Sequence, residues 1–462
     1  MTLSFLRRRA LFSLGLSSLA VLVGNPAFAE GPVATLGVPQ DATPAAQSAD
    51  AVACDPPPAA LPNFCGSLYE RSYFTGDWDG YRTCLAESGI MFEGNVTQYF
   101  QGVSSGGTNT TFKYGGHADY LLNMDMDKVA GMKGLFLKLR AENQFGEFVN
   151  RDTGALIPVN TSGLLPHGED HVLALTDVLF TQFFSESFGV FFGKLDTLDG
   201  DPNAFASGRG KTQFMNSALV FNPVALRTTP YSTNGFGFVI LQDRQPIFTF
   251  SVIDSTDSAT TVNIDDFGEK GVTLAAELRL PTCFFGLPGH QLVGATWSSR
   301  NVAILDQDIR VILPPPVGAP PERASDSWSV YYNFDQYLVV DPCDPNRGWG
   351  IFGRAGIADE ATNPLEWLVS VGVGGSSPIS CRERDTWGIG YYHAGASDEL
   401  PAVLNLGDGD GVELFYNMEV TPWFHLTADV QFIDQGFGGI PALGISEPDT
   451  AVVLGLRGKI DF

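Results

Sequence analysis

Across residues 90–462 apolar and polar side chains alternate. In 450–462, Val452, Leu454, Leu456, Ile460 and Phe462 share one parity and Val453, Arg457, Lys459 and Asp461 the other. In 135–146, Leu137, Leu139, Ala141 and Phe145 oppose Lys138, Arg140, Glu142 and Gln144. Successive side chains of a strand point to opposite faces, so each such segment predicts a strand with one apolar and one polar face. About sixteen segments, each about ten residues long, follow one another between turn signals. They are 91–103, 118–129, 135–146, 172–185, 188–198, 235–242, 247–255, 271–280, 291–306, 327–340, 349–359, 365–374, 387–395, 411–421, 423–435 and 450–462. An even count lets a closed sheet begin and end on the same side.

The connections alternate in length. Short turns at 131–134, 185–187, 243–246 and 421–422 alternate with long segments at 148–171, 197–234 and 309–326. Short periplasmic turns and long external loops are the plan of a transmembrane barrel. A charge facing lipid near the bilayer midplane costs roughly 2–4 kcal/mol, so the charged face of each strand must look into the lumen. That logic turns Lys138, Arg140, Glu142 and Gln144 inward, with Lys194, Asp196, Glu277, Arg279, Arg354, Glu413 and Arg457. The longest loop follows the fifth segment and carries Asp199, Asp201, Arg209, Lys211 and Arg227. A wall with both signs of charge holds water, and it offers donors and acceptors to small hydroxylated solutes. The same residues can equally serve only to stabilise one another. Tyr99, Trp297, Trp349, Trp387 and Trp423 read first as an interfacial girdle and second as a track for stacking sugars.

The pattern changes before residue 90. Arg7, Arg8 and Arg9, an apolar stretch and Ala27-Phe28-Ala29 predict a signal peptide over 1–29. Residues 30–62, with Pro56, Pro57 and Pro58, read as an Ala/Pro-rich periplasmic leader. In 63–89, Asp77 is a candidate N-cap, Trp78, Tyr81 and Leu85 have helical spacing, and Gly89 is a stop. These predict one short helix at the periplasmic mouth, with Trp78 and Tyr81 packed on the barrel rim. Beyond the signal no run approaches the ~20 apolar residues of a membrane helix. The fold class expected is therefore all-β: a transmembrane antiparallel β-barrel over 90–462 with a short amino-terminal periplasmic helix.

Composition narrows the chemistry. The chain holds 52 Gly, 34 Phe and 13 Tyr, which favour turns and aromatic strands. Lys plus Arg number 27 against 52 Asp plus Glu, a net charge of -25 that argues against nucleic acid as a partner. Six cysteines in an exported chain predict disulfides. The alternation of connections puts all of them on the periplasmic side, with Cys65 paired to Cys84, Cys343 to Cys381 and, by elimination, Cys54 to Cys283. Motifs suggesting enzymes fail. Phe205 stands where a P-loop ending at Lys211-Thr212 needs glycine, and His167 and His171 flank Glu169 in the wrong order for a zinc helix. The 406–411 turn, with Asp408 and Asp410, lacks a full calcium series. No G-x-S-x-G nucleophile elbow is made, because the one stretch with those letters, Gly102-Val103-Ser104-Ser105-Gly106, leaves an alternating strand for a Gly-Gly turn and opens no helix. The reading is a non-enzyme without cofactor or metal.

A period-two strand ending on Phe462 resembles the closing strand of bacterial outer-membrane barrels, where the terminal Phe is read by the barrel-assembly machinery. Residues 75–90, from Thr75-Gly76-Asp77-Trp78 through Arg82, Leu85 and Gly89, resemble the amino-terminal signature of the carbohydrate-selective porin family, OprB-like, which runs G-D-W-G-G-x-R-x-x-L-x-x-x-G. Asp79 replaces a glycine of that signature. Glu413, Tyr416, Glu419, Thr421-Pro422-Trp423, Asp429 and Gln431 resemble the family's ending. The resemblance implies an outer-membrane channel of sixteen strands that favours sugars, works by passive diffusion and binds no cofactor. It implies outer-membrane lipid and lipopolysaccharide as surroundings, small sugars as permeants, and a monomer or homotrimer. It also implies that the loop after the fifth strand folds inward. Both signatures lie away from a constriction, so they assign no solute contact.

Overall fold

The computed structural model describes residues 62–462 apart from 165, 167–171, 262–263, 308–309, 311–319, 343 and 440–445. The signal peptide and nearly all of the leader lie outside these residues, as do His167, His171, Cys54 and Cys343. Sixteen strands close into one barrel whose neighbours are all antiparallel. They are β1 (Ile90–Ser105), β2 (Phe112–Asp125), β3 (Leu135–Gly146), β4 (Ala174–Ser185), β5 (Phe188–Asp196), β6 (Ser232–Gln242), β7 (Gln245–Asp254), β8 (Val272–Phe284) and β9 (Leu287–Ser298), then β12 (Ser327–Asp341), β13 (Asp344–Ala358), β14 (Leu365–Ser376), β15 (Thr386–Ala396), β16 (Gly409–Thr421), β17 (Phe424–Asp434) and β18 (Ala451–Asp461). Two-residue strands β10 (Val302–Ala303) and β11 (Arg323–Ala324) pair outside the barrel.

Closure is made by β1 against β18, from Asn95 opposite Asp461 to Val103 opposite Val453. A closed sheet leaves no unpaired edge in lipid. The alternation maps onto the two faces as expected. Phe100, Leu454 and Leu456 are exposed on the outside, and Tyr99, Val453 and Arg457 are buried inside. All sixteen expected strands are present with several shifted ends, three of which change the reading. β2 starts earlier than expected and ends at Asp125, whose carboxylate accepts from Asp127 N and caps a turn of helix at Met126–Ala130. Cys283 lies within β8 rather than in a turn. The ninth strand stops at Ser298, where the chain leaves the wall for the external ribbon.

The long loops fill the interior. Phe205, Phe214, Leu219 and Phe221 from the 197–231 loop pack with Phe352 of β13 and Phe415 of β16. Val149, Ile157 and Val159 from the 147–173 loop join Ala218, Val224 and Ala225 in a second cluster, against wall residues such as Tyr331, Leu368, Tyr392 and Ile433. Small wall positions make room for them. A Cβ on Gly356 would meet Asn222 Oδ1 at 2.6 Å, and one on Gly388 would meet the Phe214 ring at 2.7 Å.

A short 3-10 turn (Trp78–Gly80) leads into helix α1 (Tyr81–Glu87). Trp78 and Asp79 have φ of 51 and 57, and Gly80 has 91, so the turn is left-handed. Asp79 stands where the family signature has glycine, and an acidic residue tolerates that region. Asp77 Oδ1 accepts from Thr83 N at 2.8 Å and Thr83 Oγ1 at 2.7 Å, which ties down the first turn. The orientation meets expectation only in part: Trp78, though partly exposed, packs on Phe92 of the rim, but Tyr81 is 72% exposed, Leu85 is exposed, and the helix buries Arg82 and Ala86. Arg82 wins the inner face because its guanidinium meets strand-end carbonyl oxygens there and lies over the rings of Phe64, Tyr73 and Trp78.

The expected Cys65–Cys84 bridge is not formed. Cys65, Cys84, Cys283 and Cys381 are exposed free thiols, and the Cys65 thiol donates to Asp77 Oδ2 at 3.4 Å. The Cys343–Cys381 and Cys54–Cys283 pairings each involve a residue outside the described ones, and their described partners carry no bridge. All four described cysteines do lie at the short-turn end of the barrel. Trp297, Trp387 and Trp423 stand at strand ends with indole N–H bonded to Asp326, Ser376 and Leu68 respectively, whereas Trp349 lies within β13. Tyr99 is no part of a girdle. It points inward and donates to Ser162 Oγ at 2.6 Å.

Candidate functional site

The inward charges do not line an empty tube; they hold the 197–231 loop. Arg354 of β13 donates through Nε to Asp201 Oδ2 at 2.7 Å and through both Nη atoms to the carbonyls of Ala206, Leu219 and Val220. Arg457 of β18 donates to Gly210 O and Gln213 O, each at 2.8 Å. Glu413 of β16 accepts from the backbone N–H of Met215 and of Asn216. Glu277 of β8 accepts from Asp201 N at 3.2 Å and from Tyr331 OH at 2.8 Å. Four walls of the barrel thus grip one loop by its charge and by its backbone.

A second group forms where the same loop crosses β2 to β5. Lys138 reaches Asp177 at 2.8 Å and Asp199 at 2.7 Å. Arg140 Nη1 donates to Asp196 and Asp199, each at 3.0 Å. Arg209 donates to Glu142 at 2.8 Å, Asp196 at 3.0 Å and Asp199 at 3.1 Å. Lys211 pairs with Asp119, and Tyr231 OH donates to Glu142. Arg209 sits at φ 55 between Gly208 and Gly210, both also at positive φ. Three successive left-handed residues turn the guanidinium back onto the wall, a conformation that persists only where surrounding contacts hold it. Burial alone would raise the Asp199 carboxyl, but Arg140, Lys138 and Arg209 hold it well below the ordinary range. Burial lowers the Lys211 ammonium despite the pull of Asp119.

Exposure divides this group. The side chains of Arg140, Arg209 and Asp199 keep 12%, 14% and 13% of their surface open, while Asp196 and Glu142 keep none. Guanidinium edges therefore meet the water and most of the compensating carboxylates stand behind them. His117, Asp119 and Glu142 bring three possible metal-ligand atoms within 4.8 Å of one another. Lys211 and Arg209 already neutralise the two carboxylates, so the set does not suit a metal ion.

Other expected lumen residues go elsewhere. Lys194 Nζ donates to the carbonyls of Ser258, Ala259 and Thr261 at 2.6, 3.2 and 3.0 Å, so it fastens an external loop and does not line a passage. Gln144 donates to Ser162 O at 3.2 Å and holds the 147–173 loop. Arg279 lies 3.9 Å from Asp335, which also meets His290 Nδ1 at 2.8 Å, apart from the main group. Among residues the sequence pattern did not single out, His117 and Asp119 share the inward parity of β2 and were open to the same reasoning. Asp177 was not. A register shift opposite Arg140 and Ala141 lets both Thr176 and Asp177 turn inward, and no alternation reveals it.

Comparison with known proteins agrees with this architecture. The family described as "Carbohydrate-selective porin, OprB family" matches residues 109–462. "Putative porin QuiX" of Acinetobacter baylyi is 23% identical, over 85% of this chain and 94% of that one. "Porin B" of Pseudomonas aeruginosa is 22% identical, over 83% of this chain and 90% of that one. The high-pH structure of Pseudomonas putida OprB superposes with a TM-score of 0.72 at 21% identity, covering 85% of this chain and 98% of that chain.

Proposed function

The chain belongs to the carbohydrate-selective porin, OprB family, and from that premise we propose that its 197–231 loop, with Arg140 and Arg209, forms the ridge that selects sugars. The protein is an outer-membrane β-barrel porin, a channel for carbohydrates. The observation that carries the finer reading is the near balance of charge at the ridge. Lys138, Arg140, Arg209 and Lys211 face Asp119, Glu142, Asp177, Asp196 and Asp199 across contacts of ion-pair length. A nearly neutral group exerts little net pull on ions. Its open N–H edges still offer fixed donors to hydroxyl oxygens, as a passing sugar requires. Both carboxylate contacts of Arg140 use Nη1, which leaves its Nη2 edge for solvent or solute.

Lipid and lipopolysaccharide surround the apolar wall in this reading, and Phe462 serves the assembly machinery before the barrel closes. Planar-bilayer recording tests the ridge. Addition of a monosaccharide or short oligosaccharide should reduce the ionic current of the wild type, and Arg140→Ala should weaken that block. Block of equal strength in the variant would remove Arg140 from the path.

A further inference from the structure

The amino-terminal segment of residues 62–89 is built against the outer, lipid-facing rim of the barrel. Phe92 shares the outward parity of Phe100, and Phe462 that of Leu454 and Leu456. Trp78 packs on Phe92 with ring centres 6.1 Å apart, and Phe74 packs on Phe462 at 6.1 Å and on Trp423 at 4.8 Å. Arg82 Nη2 donates to Phe92 O at 2.9 Å and Phe462 O at 2.8 Å, and Phe74 N donates to Asp461 O at 2.8 Å. Trp423 Nε1 donates to Leu68 O at 2.7 Å. These contacts fix the segment across the β1–β18 seam at the short-turn end.

Once Arg82 and Ala86 are spent on the rim, the helix presents Tyr81, Trp78 and Leu85 outward, with Leu68, Tyr69 and Phe74 exposed beside them. An apolar stripe turned to water is costly. We infer that residues 68–85 form an interfacial patch that rests in the headgroup layer of the periplasmic leaflet, with phospholipid as its occupant. The patch continues the lipid-facing row of Phe92 and Phe462, on which Trp78 and Phe74 pack, so the membrane that covers those rings reaches it without interruption. Its residue types agree, because Trp and Tyr settle where an apolar ring meets polar headgroups. The helix is then an outrigger on the membrane surface and leaves the pore mouth clear.

The test uses the full chain with its six cysteines changed to serine and one cysteine restored by Tyr81→Cys, by Leu85→Cys or, as a water-facing control, by Glu87→Cys. Each carries a fluorescent label, and only variants that keep the heat-modifiable folded band are reconstituted. Vesicles of phosphatidylethanolamine and phosphatidylglycerol hold a lipid with a nitroxide near its headgroup. The nitroxide should reduce emission several-fold more at positions 81 and 85 than at 87, and aqueous iodide should show the reverse order. Quenching at 81 and 85 by iodide but not by the lipid nitroxide overturns the inference. So does protection from both quenchers, whether it is relieved by deleting residues 30–61, which assigns the patch to the chain's own leader, or varies with the protein-to-lipid ratio, which assigns it to a second copy.

Discussion

Arg82 Nη2 and the carbonyl oxygen of Phe462 lie 2.8 Å apart although 380 residues separate them. The same atom meets Phe92 O at 2.9 Å, so one guanidinium joins the first and last strands at the point where the barrel closes. Removing it leaves partly buried acceptors unsatisfied, at ~1–3 kcal/mol each. Arg82→Ala should lower the temperature at which the folded band disappears on an unheated gel, and Arg82→Lys should recover only part of the loss. A lysine ammonium can reach the same two oxygens, but it has no planar group to spread over three rings and no second nitrogen for Gly76 O.

The inserted loop depends on Arg354. This side chain and Asp201 are both fully buried, and breaking such a pair by removing one partner costs about 3–5 kcal/mol. Arg354→Ala should therefore loosen the 197–231 loop, increase single-channel conductance and expose the loop to protease. A barrel that assembles with unchanged conductance and protease resistance would show that the other clamps suffice.

Arg140 and Lys194 share an inward parity but not a role. Lumenal substitutions tune selectivity. Arg140→Ala should shift the reversal potential in a salt gradient toward cation preference, because Asp199 and Asp196 lose a counter-charge. Lys194→Ala should leave the potential nearly unchanged and make the 255–271 loop more sensitive to protease, since Nζ donates to three carbonyls of that loop.

Acidity acts on the same external loop. Burial pushes the Asp257 carboxyl up to about 6, against bonds from Ala259 and Ser232 and the attraction of Lys194. Between the ordinary carboxylate value and about 6 the native loop holds more proton than the unfolded chain, so its stability falls as pH rises through that window. Proteolysis within 255–271 should speed up from about pH 5 to about pH 7, and Asp257→Asn should flatten the profile.

Much of this was legible in the alternation. Lys138, Arg140, Glu142, Glu277, Arg354, Glu413 and Arg457 were placed inward because lipid rejects charge, and they are inward. What alternation does not encode is the partner. Nothing periodic tells that Arg457 binds Gly210 and Gln213, more than two hundred residues away, or that Lys194 meets loop carbonyls. Those contacts are set by where a loop without repeating pattern comes to rest. The helix shows the same limit. Trp78, Tyr81 and Leu85 have the spacing of a buried stripe, yet Arg82 holds the inner face because two strand-end carbonyls wait there. The four described cysteines lie at the short-turn end that the loop alternation assigned them, but side does not fix pairing. Cys65 bonds Asp77 instead of Cys84.

The central claim is that a loop-bound, nearly neutral ridge passes hydroxylated solutes in preference to others of their size. Liposome swelling with purified protein measures it most directly, using a panel of sugars, amino acids and simple salts matched for hydrodynamic size. The account predicts faster swelling in sugars than in amino acids of equal size, with the difference reduced in Arg140→Ala. Equal rates for sugars and amino acids in the wild type would contradict it and mark the channel as a general porin.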